Sequence, residues 1–133
     1  MTSSNSGGAV ARPHFFGHGR LAYVQIPAVD VQVSAAFYRD MFGWQIRGGS
    51  GSHLSFTDTT GDMIGAFVTG RPVSRHSGAV FYVYVHGLDA VLDKMQAAGS
   101  TIVKPPYPEG DIWVATVGDP AGNEIGIWQR DPR

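Results

Sequence analysis

The sequence predicts an α+β fold in which two tandem βαβββ modules form a cupped mixed β-sheet. Three observations carry that prediction. Short segments with apolar residues at alternate positions surround two segments of helical periodicity, in the order strand, helix and three strands, twice over. Glycine-containing turns separate the strands. The stretch TDTTGDMIGAF at 57–67 also matches GDPAGNEIGIW at 118–128 without a gap, pairing Asp58 with Asp119, Gly61 with Gly122, Ile64 with Ile125 and Gly65 with Gly126.

The first module, about residues 20–70, opens on the strand segment LAYVQIP at 21–27. Asp30 then offers an N-cap to a helix carrying Val33, Ala36, Phe37 and Met41 on one face, and Gly43 ends it. Strands are expected near 44–48, 53–58 and 63–68. The second module, about 78–130, repeats the plan with a strand at 79–85 and a helix placing Leu88, Val91, Leu92 and Met95 together before Gly99. Its remaining strands fall near 101–104, 112–117 and 124–129, with PPYPEG at 105–110 as an irregular connection. Gly61 and Gly122 belong to hairpin turns, where a positive φ is commonly needed and a β-carbon is strained.

Residues 19–133 thus read as one domain, preceded at 1–18 by a flexible tail rich in Ser, Gly and Asn. A chain of 133 residues can bury a core of its own. With 43% hydrophobic and 16% charged residues and a formal charge of −1, neither disorder nor a basic nucleic-acid surface is indicated. Without cysteine there is no disulfide framework, thiolate metal site or cysteine nucleophile. The apolar runs are shorter than the roughly 18 residues of a membrane helix, and the start lacks a secretory signal, so a cytoplasmic protein with no membrane partner is expected.

Strand parity divides the expected sheet into two faces of different chemistry. Val24, Ile26, Ile64, Ala66, Phe81, Val83, Val85, Ile125 and Ile127 give an aliphatic face suited to packing beneath the helices. Tyr23, Gln25, Met63, Gly65, Phe67, Val80, Tyr82, Tyr84, Glu124, Gly126 and Trp128 give an aromatic, mixed-polar face without Lys or Arg. The second pattern fits a semi-enclosed pocket for a small molecule; the alternative is a surface buried against a second subunit or closed on itself as core.

The segments VQIPAVDVQVSAAFYRDMFGW, VYVHGLDAVLDKMQAAGSTIV and GDPAGNEIGIWQ resemble the vicinal oxygen chelate superfamily, which includes glyoxalase I, extradiol dioxygenases, fosfomycin-resistance enzymes and bleomycin-binding proteins. The resemblance covers about residues 20–130 and implies the glyoxalase/bleomycin-resistance/dioxygenase fold and a homodimer. In metal-dependent relatives a His or Gln on the first strand and a Glu on the last strand of each module converge on a divalent cation. By register those positions fall on Tyr23, Val80, Gly65 and Gly126, of which Val and Gly have no donor atom. The resemblance therefore implies no metal cofactor of the usual kind. A non-standard set drawing on Gln25, Glu124 and His53 stays open as the alternative.

The two glycines are expected to leave space in the cup for a flat aromatic ligand among Tyr23, Phe67, Tyr82, Tyr84 and Trp128. His14 and His18 fall in the tail, His76 in the linker and His86 at a strand-to-helix junction, where exposure or capping explains them. Only His53 is expected on a strand. The sequence thus favours a metal-independent small-molecule-binding protein. The alternatives are a metal-dependent lyase, isomerase or dioxygenase and a non-catalytic assembly domain.

Overall fold

The computed structural model describes residues 17–75 and 78–130, so His14, His76 and most of the expected tail lie outside the described residues. In chain order the elements are β1 (Tyr23–Pro27), α1 (Val31–Phe42), β2 (Gln45–Arg47), β3 (Leu54–Thr57), β4 (Ile64–Val68), β5 (Tyr82–Tyr84), α2 (Leu88–Ala97), β6 (Ile102–Glu109), β7 (Ile112–Gly118) and β8 (Glu124–Gln129). Both βαβββ modules are present. Their strands form two four-stranded sheets, ordered β1-β4-β3-β2 and β5-β8-β7-β6, each with one parallel pair among antiparallel ones.

Asp30 caps α1, its carboxylate accepting from the backbone N–H groups of Gln32 at 3.0 Å and Val33 at 3.3 Å. Such a cap contributes about 1 kcal/mol. Gly43, at φ 76°, ends the helix in the left-handed region. The buried face of α1 is Val31, Ser34, Ala35, Phe37 and Tyr38, not the expected stripe through Val33, which is exposed. Both stripes have helical spacing. The larger burial available to Tyr38, with small residues at 34 and 35 that let the helix approach the sheet, selects the observed one. In α2 the expected face holds, with Leu88, Leu92 and Met95 buried and Val91 partly so. Its first free N–H, at Leu88, donates to the buried side-chain amide oxygen of Gln129 at 2.7 Å, a cap supplied from β8.

The segment PPYPEG is not an irregular loop, because β6 runs through it to Glu109 with register shifts between Ile102 and Lys104 and between Lys104 and Tyr107. Proline is tolerated there since β6 is an outer strand and hydrogen-bonds on one side only.

The two hairpins that match in sequence differ in length. Gly61 and Gly122 close equivalent turns on the carbonyls of Asp58 and Asp119, at 3.0 and 2.9 Å. Beyond them the N–H of Asp58 reaches Met63, whereas that of Asp119 reaches Asn123. Thr57 therefore pairs with Ile64, and Gly118 with Glu124, leaving the first turn one residue longer. A one-residue slip reverses every side chain of the strand that follows. Gly65 and Phe67 consequently share a face with Val24, Ile26, Leu54 and Phe56 under α1, not with Tyr23 and Gln25 as expected. Ile64 and Ala66 take the opposite face. In the second sheet the expected parity holds, and Tyr82, Tyr84, Gly126 and Trp128 lie together away from the buried Ile125 and Ile127.

The modules are joined by a buried polar interlock. Tyr38 on α1 donates its hydroxyl to Asp119 Oδ2 at 2.7 Å. Asn123 donates from Nδ2 to Asp119 Oδ2 at 2.8 Å and to the Pro27 carbonyl at 2.7 Å, while its Oδ1 accepts from the Ser74 N–H at 2.9 Å. The DPAGN turn thus docks the second module on β1, α1 and the connecting segment. Burial, and secondarily the carboxylate of Asp119, raise the Tyr38 hydroxyl well above its ordinary value.

Candidate ligand-binding cavity

One large concavity, of about 810 Å³, is lined by residues of both modules. Its floor is made by Val24 and Ile26 of β1 and by Phe81, Val83 and Val85 in and beside β5. These belong to the face expected to be sealed beneath the helices. Each helix packs on its own sheet, α1 on β2, β3 and β4 and α2 on β6 and β8. Met41 and Phe42 at the end of α1, with Trp44 and Phe56, form one wall; Ala90 and Val91 of α2 form the other. The aromatic wall is rigid, since Trp44 stacks on Tyr38 at 4.8 Å and on Phe56 at 4.6 Å.

Polar groups are confined to the mouth. On one side stand Asp58, Thr59, Thr60 and Met63 of the β3–β4 turn; on the other stand Tyr82, Tyr84, His86 and Gly87. The His86 ring meets Tyr84 edge-on at 5.4 Å, and Tyr84 meets Trp128 edge-on at 4.8 Å. An apolar, aromatic interior with a few polar groups at the entrance is the pattern of a small-molecule site.

Of the residues expected to line a cup, Met63, Tyr82 and Tyr84 border this cavity. Tyr23, Gln25, Glu124, Gly126 and Trp128 share the helix-free faces of the two sheets instead, and that surface is open. Tyr23 is 52% exposed, Tyr82 53% and Tyr84 41%. Val80, 40% exposed, precedes β5, and His53 is exposed just before β3. Gly65 and Phe67 are buried in the α1 core.

The two glycines do not open a space, which corrects the expectation placed on them. A β-carbon on Gly65 would lie 2.0 Å from the Val24 carbonyl and 2.5 Å from the Phe56 ring. On Gly126 it would lie 2.1 Å from the ring of Tyr82. Each glycine admits a neighbour: the Phe56 ring and the β1 backbone at Gly65, and the Tyr82 ring at Gly126.

The residues do not fit the divalent cation of the metal-dependent relatives. Tyr23 and Gly65 lie on opposite faces of the first sheet, Val80 and the glycines bring no donor, and a carboxylate at 65 or 126 would collide with what now packs there. Among the described residues, no three His, Asp or Glu side chains come together.

Asp58, Thr60, His86, Met41 and Phe42 are cavity residues that the sequence reading did not assign. Asp58 was visible as the partner of Asp119 in the repeat, but not its place at a cavity mouth. His86 was visible at its strand-to-helix junction.

Comparison with known proteins agrees with this architecture. The sequence model of the Glyoxalase/Bleomycin resistance protein/Dioxygenase superfamily matches residues 20–127. Among curated relatives, the protein named "Putative glyoxylase CFP32" in Mycobacterium bovis is 27% identical over 86% of this chain and 47% of its own length. The chain therefore spans about half the length of that relative. A glyoxylase-like domain-containing protein of Didymella fabae is 32% identical over 62% of this chain and 70% of its own. Among solved structures, TnmS3, an antibiotic binding protein from Streptomyces sp. CB03234, superposes with a TM-score of 0.64 at 21% identity, covering 85% of this chain and 97% of that one. The chain belongs to the Glyoxalase/Bleomycin resistance protein/Dioxygenase superfamily.

Proposed function

We propose that the protein binds a small, largely apolar molecule with an aromatic body in the cavity between its modules, without a metal ion. The carrying observation is the cavity itself: about 810 Å³, walled by Met41, Phe42, Trp44, Phe56, Phe81 and Val91. That volume is in the range of drug-sized ligands. Met63 contacts the ligand at the mouth. The likeness in fold to an antibiotic binding protein supports binding over turnover.

Ala90 is an exposed helix position on the cavity wall, so a larger side chain there fills the space without disturbing the core. Calorimetric titration with naphthalenemethanol, a neutral bicyclic probe, is expected to show saturable binding that Ala90→Phe weakens by about tenfold or more. Equal affinity in the two proteins would refute the assignment of the cavity.

A homodimer is part of the same reading. Tyr23, Val80, Tyr82 and Tyr84 expose apolar area along the outer strands β1 and β5, whose far edges have no strand partner among the described residues. A second copy would cover that surface. Sedimentation equilibrium is expected to return twice the chain mass, and Tyr82→Glu to return the single mass; a wild-type protein that stays single at high concentration would defeat this proposal. A cytoplasmic location is consistent with the cysteine-free sequence.

A further inference from the structure

We infer that the cavity selects a ligand carrying a positive charge, a protonated amine or a similar cation, and that Asp58 is the residue that reads it. The inference rests on the cavity being the binding site. Asp58 is the only acid among the described residues that line the cavity, and neither Lys nor Arg is among them. Its two oxygens are used unequally. Oδ1 accepts the Thr60 hydroxyl at 2.9 Å, the Asp62 N–H at 3.1 Å and the Met63 N–H at 3.3 Å, which fixes the carboxylate on its turn. No hydrogen bond from the described residues reaches Oδ2. A half-buried carboxylate held by one oxygen offers the other as a ready acceptor, its orientation already set before the ligand arrives.

The surroundings make the charge selective. The walls beside Asp58 are Met41, Phe42, Trp44 and Phe56, which cannot solvate an anion, so a second negative charge in the cavity would be repelled without compensation. A cation entering the same place meets the carboxylate beside the aromatic wall of Phe42, Trp44 and Phe56, and ring faces attract cations where they repel anions. The extra residue in the β3–β4 turn matters here. The equivalent Asp119 in the shorter turn spends its second oxygen on Tyr38 and Asn123 inside the protein, whereas Asp58 faces the cavity. Two matched turns have thus separated into a structural clamp and a recognition group.

The test compares probes of equal shape and different charge: naphthylmethylamine, naphthalenemethanol and naphthoate, titrated calorimetrically into the wild-type chain and into Asp58→Asn. The amide side chain of that variant keeps an acceptor oxygen for the turn, and thermal melting checks that the variant is folded. In the wild type, the amine is expected to bind about tenfold or more tighter than the alcohol, with naphthoate weakest. In Asp58→Asn, the advantage of the amine over the alcohol is expected to disappear. Amine and alcohol binding equally to the wild type overturns the charge reading and leaves the cavity standing, a result that needs no variant. An amine preference that survives Asp58→Asn in the folded variant overturns the role of Asp58. Failure of all three probes to bind overturns the cavity assignment and this inference with it.

Discussion

Replacing Gly65 with alanine is expected to destabilise the protein by about 4 kcal/mol or more, whereas the same change at Gly126 is expected to cost about 1 kcal/mol. The two glycines match in the internal repeat, so a reading from sequence treats them alike. Their surroundings differ in what can move. At Gly65 the new carbon meets the Val24 carbonyl at 2.0 Å and two atoms of the buried Phe56 ring at 2.5 and 2.7 Å. Relief requires either parting β1 from β4 or displacing a ring stacked on Trp44 at 4.6 Å. At Gly126 the obstacle is the ring of Tyr82 alone, and that side chain is half exposed and can swing outward. Urea denaturation of both variants measures the difference; equal losses would show that the extra residue in the first hairpin does not turn Gly65 into the core.

That same hairpin marks the boundary of what the sequence discloses. Periodicity located both helices and every strand but β6 to within a few residues, because a half-buried element writes its period directly into the chain; the prolines of PPYPEG hid the continuation of β6. It could not say which face each strand turns inward, since the two hairpins match residue for residue and the first turn is longer only because it takes up Met63, whose counterpart Glu124 is paired in the strand. The aliphatic face was identified from Val24, Ile26, Phe81, Val83 and Val85, and it does lie on the helix side. Its conversion into a cavity depends on how far apart α1 and α2 stand over β1 and β5, a tertiary distance with no local signature. The aromatic character of Tyr23, Tyr82 and Tyr84 was legible for the same reason as the strands, but an alternating pattern reports only that one face differs from the other. It does not report which of the two encloses space.

Asn123→Ala is expected to lower the unfolding free energy by about 3 kcal/mol, although the side chain removed is small and polar. Truncation strips the Pro27 carbonyl and the Ser74 N–H of a partner each and takes one donor from Asp119, all at a buried seam between the modules. Buried groups left without partners cost more than the net worth of the bonds they made. The interlock also carries a signature in pH. The folded state holds the Tyr38 proton well above the ordinary value of 10.0, because burial and then the Asp119 carboxylate oppose a phenolate there. The unfolded chain releases it near that value, so the contribution of Tyr38 is complete below about pH 10 and declines by about 1.4 kcal/mol per pH unit as the pH rises beyond it. Tyr38→Phe is expected to cost about 1–2 kcal/mol at neutral pH, since Asp119 loses a buried donor, and to be less sensitive than the wild type to rising alkalinity. Denaturation curves recorded from neutral to strongly alkaline pH would show the two stabilities converging. Parallel declines in the two proteins would mean that Tyr38 is free to ionise in the folded state, and that the contact with Asp119 does not bind the modules together.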